Sequence, residues 1–70
     1  MIRLKVKEVA KQQGMSMGKL SRTAGVAYNT IRTIYKDPYR QVTTLTLDKL
    51  ARALNVPVTE LLEQVEDQTD

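Results

Sequence analysis

The sequence contains no cysteine, no histidine, no tryptophan and no phenylalanine. The first two absences exclude disulfides and the usual zinc ligand sets. Without His, Cys or a glycine-rich phosphate loop, no nucleophile–base pair is visible. An enzymatic role therefore has nothing to rest on, and no cofactor or small-molecule ligand is expected. Long hydrophobic runs are missing as well: none approaches the ~18 residues that cross a bilayer. No signal-peptide core is seen at the N-terminus. These absences fit a soluble protein of a reducing cytoplasm, with no membrane partner.

What is present is short and polarised. Seventy residues make one domain, and a chain of this size buries only ~60% of its unfolded surface. The core must come from packed helices, helped at most by a partner subunit. The formal net charge of +3 conceals a division along the chain. Residues 1–45 carry nine Lys/Arg against Glu8 and Asp37, a net +7. Residues 46–70 carry Lys49 and Arg52 against six carboxylates, a net −4. Such a dipole would turn its positive pole toward a polyanion. Glu60, Glu63, Glu66 and Asp67 fall at solvated spacings without a histidine among them, so no metal site is expected.

Hydrophobic spacing divides the chain into five helices. Ile2, Leu4 and Val6 alternate with Arg3 and Lys5, predicting a brief extended start. The β-rich Val42–Leu45 is its candidate partner. Helix one covers about residues 5–13 and ends at Gly14, which takes positive φ without penalty. Ser16 is a good N-cap for helix two. Met17, Leu20, Ser21 and Ala24 share one face of that helix, and Gly25 stops it. Val26, Ile31 and Ile34 turn inward on helix three, which Asp37-Pro38 terminates. Thr46 is the expected cap of helix four, with Leu47, Leu50, Ala51 and Leu54 buried and Asn55 as a left-handed stop. Val58, Leu61, Leu62 and Val65 predict a fifth short helix. Residues 67–70 form an acidic tail, expected to fray, after a domain spanning 1–66. The candidate core is Leu4, Val6, Val9, Ala10, Met15, Leu20, Ala24, Val26, Ile31, Ile34, Leu47, Leu50, Ala51, Leu54, Val56, Leu61 and Leu62.

Helix three presents Tyr28, Asn29, Arg32, Thr33 and Lys36 on the face opposite its apolar anchors. A short helix carrying amide, hydroxyl and cationic groups fits a DNA major groove. Asn29 is the foremost base-reading candidate, since its amide bonds adenine N6 and N7 bidentately. The alternative is that it satisfies free backbone amides in the first helical turn. Arg32 suits guanine O6 and N7 or a phosphate equally. Tyr28 suits a thymine methyl or a phosphate, or else packs on Arg32. Thr33 suits a base edge or a methyl. Lys19, Arg22, Lys36, Tyr39 and Arg40 are the candidate phosphate contacts. Lys5, Lys7 and Lys11 form an exposed basic face of helix one, of which only some reach DNA. Thr43 and Thr44 are further phosphate candidates, but ordinary loop threonines are the favoured reading.

The window Leu20-Ser-Arg-Thr-Ala-Gly25-Val26-Ala-Tyr-Asn-Thr-Ile31-Arg-Thr-Ile34 resembles the helix-turn-helix of phage-repressor/Cro-type regulators. Leu20, Ser21, Gly25, Val26, Ile31 and Ile34 stand at that family's structural positions. With the preceding helix and the LDKLARALNVPVTELL stretch, the resemblance covers about residues 3–65. It implies a compact all-α, five-helix domain of the minimal single-domain type, inserting helix three into duplex DNA. It also implies a transcriptional regulator, a repressor in the first instance, that works on the nucleoid. Arg40 falls where the family places a side chain near the backbone or the minor groove. The sequence departs from the family at Met17, often Gln; at Ala27, usually a Ser or Thr cap; and at Tyr35, often Glu. One recognition helix reads too few base pairs for genomic selectivity, so a homodimer on DNA, weak or monomeric when free, is expected. The same scaffold also serves antitoxins, accessory proteins of mobile DNA, and protein-interaction adaptors. An adaptor would carry an uncharged or acidic strip where this chain has Arg32 and Lys36.

Overall fold

The computed structural model describes residues 1–66; the expected fraying of 67–70 lies outside the described residues. The chain runs through β1 (Ile2–Leu4), α1 (Val6–Gln12), α2 (Met17–Ala24), α3 (Tyr28–Lys36) and α4 (Thr44–Leu54). A 3-10 turn (Val58–Leu61) and β2 (Leu62–Gln64) complete it. The fold is mostly helical, but the expected fifth helix is absent from the described residues. In its place the chain makes one tight turn and then extends.

The cause is a partner 60 residues away. β2 pairs antiparallel with β1, setting Ile2 opposite Gln64, Arg3 opposite Glu63 and Leu4 opposite Leu62. The extended start is therefore real, but its partner is not Val42–Leu45. Extension of β2 satisfies backbone groups of both strands at once. It also sets the Arg3 guanidinium on Glu63 at 2.7 Å, and the same guanidinium holds Glu8 of α1. Cross-strand opposite charges favour this register.

That cluster carries a pH dependence. Burial raises the Glu8 carboxyl pKa, but the Arg3 hydrogen bond and charge outweigh it, so the pKa lies below its usual 4.5. A carboxyl depressed in the folded state stabilises above its unfolded pKa and loses that contribution as pH falls. The melting temperature is expected to drop as pH falls below about 4.5, by less in Glu8→Gln. Thermal melts across pH 3–6 read this, and an equal acid loss in both proteins contradicts it.

Local capping chemistry fixes the helix ends. The Ser16 hydroxyl accepts from the Lys19 amide at 3.2 Å. Gly14, Gly25 and Asn55 all take left-handed φ, between 56° and 67°. α4 begins earlier than expected because Thr43, not Thr46, is its cap. The Thr43 hydroxyl accepts from the Thr46 amide at 3.1 Å. With two threonines three residues apart, the earlier caps and the later supplies the capped amide.

Among the described residues the twelve buried apolar ones all come from the expected core: Leu4, Val6, Val9, Ala10, Leu20, Val26, Ile31, Ile34, Leu50, Ala51, Leu54 and Leu61. Met15, Ala24, Leu47, Val56 and Leu62 pack against its edge, half-buried. Ile31 and Ile34 thus pin α3 from beneath. Each such side chain contributes ~1.5–3 kcal/mol by leaving water.

Candidate nucleic-acid interface

The orientation of α3 is set at its junction with α2. Gly25 turns the chain in a left-handed conformation, and its amide donates to the Ser21 carbonyl at 3.0 Å. The Ser21 hydroxyl then donates across the turn to the Val26 carbonyl at 2.6 Å. Ser21 is therefore a lock as well as a small residue. Any serine at the end of a helix offers that hydroxyl, but nothing local says which carbonyl it meets.

With Ile31 and Ile34 facing inward, the opposite side of α3 is open to solvent. Asn29, Arg32, Thr33 and Lys36 together line one shallow hollow of about 170 Å³. No carboxylate borders it. Asn29, Arg32 and Lys36 are exposed, and Thr33 is half-buried. The Thr33 hydroxyl donates to the Asn29 carbonyl at 2.7 Å. Among the described residues the Asn29 amide makes no hydrogen bond. The backbone-capping alternative for Asn29 is thus not the one adopted. Tyr28 is exposed at the head of α3 but does not border the hollow.

The remaining candidates lie around this strip rather than in it. Lys19 and Arg22 stand exposed on α2. The Arg22 guanidinium folds back over Gly18, with Nη1 3.5 Å from where a Gly18 Cβ would stand. That is ordinary van der Waals spacing, so a small side chain at 18 would be tolerated beside the cation. Tyr39 and Arg40 lie in the α3–α4 loop. They border a separate hollow of about 430 Å³ with Ile2, Val42 and Leu47. Asp37 shapes the loop, its carboxylate accepting from the Tyr39 amide at 3.2 Å. Among the described residues, Lys19, Arg22, Arg32, Lys36 and Arg40 have no ion-pair partner. Arg3, counted with the basic half of the sequence, is neutralised by Glu8 and Glu63 and leaves the cationic pole.

Ala27 occupies the N-cap of α3 in a non-helical conformation (φ −55°, ψ 137°) and offers no side-chain bond. Serine adopts the same backbone and supplies the missing acceptor. Ala27→Ser is expected to stabilise the domain by about 1 kcal/mol, a rise in Tm of roughly 4–8 °C. A calorimetric Tm unchanged or lowered contradicts the open cap.

A family model for the Cro/C1-type helix-turn-helix DNA-binding domain matches residues 5–67. The crystal structure of SinR, the master regulator for biofilm formation, in complex with DNA is similar at 27% identity. Its TM-score is 0.74, over 79% of this chain and 87% of that one. The solution structure of the N-terminal DNA-binding domain of SinR from Bacillus subtilis is similar at 26% identity and a TM-score of 0.74. That likeness covers 93% of this chain and 94% of the other. A comparison with curated proteins finds no match.

Proposed function

The chain belongs to the Cro/C1-type helix-turn-helix DNA-binding domain family, and from that premise we propose a sequence-specific transcriptional repressor. Residues 1–66 act as one domain, and α3 enters the major groove. The observation that carries this reading is the hollow shared by Asn29, Arg32, Thr33 and Lys36 on the solvent face of α3. Asn29 bonds adenine N6 and N7, and Arg32 a guanine edge or an adjoining phosphate. Thr33 offers its methyl to thymine, and Tyr28 touches the groove edge. Lys19, Arg22, Lys36, Tyr39 and Arg40 hold phosphates and set the register.

Two copies bind neighbouring half-sites about 34 Å apart, because one helix reads too few bases to select a site in a genome. Repression follows from occluding a promoter. No described helix is long and apolar enough to cross a membrane, and the proposed place of action is the cytoplasmic nucleoid. Selection of bound duplexes from a random pool tests the whole reading. Enriched sites with two-fold symmetry are expected. A single asymmetric site removes the dimer, and no enrichment removes sequence-specific recognition.

A further inference from the structure

Lys7 and Lys11 stand one turn apart on the exposed face of α1. Two hollows at the shoulder between α1, the start of α2 and the flank of α3 share both lysines and Tyr35. The first, about 200 Å³, has an apolar floor of Met15, Met17 and the Tyr35 ring. The second, about 340 Å³, runs from the same lysines toward Ile34 and Pro38. Its far end holds Arg3 and Glu8, whose charges are joined to each other. Among the described residues neither lysine has an ion-pair partner. Tyr35 is half-buried, and burial pushes its phenol up from its usual 10.0, so it stays protonated and able to donate.

Two uncompensated ammonium groups above an apolar floor match a particular chemistry. A deoxyribose ring offers an apolar face, and the phosphates on either side of it offer anionic oxygens. We propose that Lys7 and Lys11, with Met15, Met17 and Tyr35 beneath them, seat the sugar–phosphate backbone of the bound duplex outside the bases that α3 reaches. This rests on the DNA-binding reading above and extends its footprint onto α1. Met17 and Tyr35 then contribute contact area to the sugar, while the lysines supply charge. A seat of this kind adds affinity without sequence preference.

The salt dependence of binding to a duplex selected by the wild-type protein tests it. Lys7→Gln/Lys11→Gln is compared with Lys49→Gln/Arg52→Gln on α4, which removes the same charge. Two lost phosphate contacts lower the slope of log K against log salt by about 1.8. That corresponds to roughly 60-fold weaker binding at 0.1 M salt, if affinities meet at 1 M. The preferred base sequence stays the same, and Lys7→Arg/Lys11→Arg restores the slope. Melting curves accompany each variant, and the exposed lysines are expected to leave them unchanged. A slope reduced no more than in the α4 variant overturns the seat while leaving the regulator reading intact. A wild-type protein that binds no duplex at low salt removes both.

Discussion

Ile31→Ala is expected to lower the stability of the domain by about 2–5 kcal/mol and to abolish DNA binding at 37 °C. Ile31 is fully buried, on the inner face of the same helix that carries the DNA strip. Truncation removes the side chain's transfer free energy and leaves a cavity that the short, tightly turned helices cannot close. A chain of this length has only about 4–10 kcal/mol of total stability to lose. Ile31→Val, which removes one methylene, is expected to cost about 0.5–1.5 kcal/mol and to retain binding. Urea unfolding monitored by circular dichroism measures both. A loss below 1 kcal/mol for the alanine variant contradicts the role of Ile31 as the anchor of α3.

Asn29→Ala produces the second large effect, and it separates recognition from folding. Asn29 is exposed, and its amide has no hydrogen bond among the described residues, so removing it leaves the urea midpoint almost unchanged. Affinity for the selected duplex falls by about 1–3 kcal/mol, and preference at one base pair is lost. Binding to unrelated duplexes stays the same, because the phosphate contacts are intact. Arg32→Ala discriminates between that residue's two uses. A guanine contact relaxes preference at a second position, whereas a phosphate contact weakens all duplexes together and lowers the salt slope by about 1. An Asn29→Ala protein that keeps its full sequence preference contradicts base reading by this residue.

The features legible in the sequence share one property, which is that their causes are local. The stops at Gly14, Gly25 and Asn55 follow from backbone freedom at a single residue, and the Ser16 cap from a hydroxyl three residues before the amide it meets. The inward positions Val26, Ile31 and Ile34 follow from the helical period, and the strip on the other face follows with them. Most of the features that are not legible depend on residues outside their own segment. Leu61 and Leu62 continue a helical spacing after Val58, so only the arrival of Ile2–Leu4 alongside turns Leu62–Gln64 into a strand. Arg3 looks like one more free cation until β1 and β2 pair and set it on Glu63. Thr43 and Thr46 are equally good caps by composition, and the choice between them depends on where the preceding loop ends. At the site, spacing shows that Lys7 and Lys11 are exposed. It cannot show that Tyr35 and Met17, on two other helices, meet them to form a floor.

Contact between the outer face of α3 and the base pairs is visible residue by residue in an NMR titration with the selected duplex. Amide and side-chain signals of ¹⁵N-labelled protein are followed as DNA is added. The largest shifts are expected at Asn29, Arg32, Thr33 and Lys36, with smaller ones along α2 and the α3–α4 loop. Shifts concentrated instead on the β1–β2 sheet around Glu63, with the α3 strip unmoved, would contradict it.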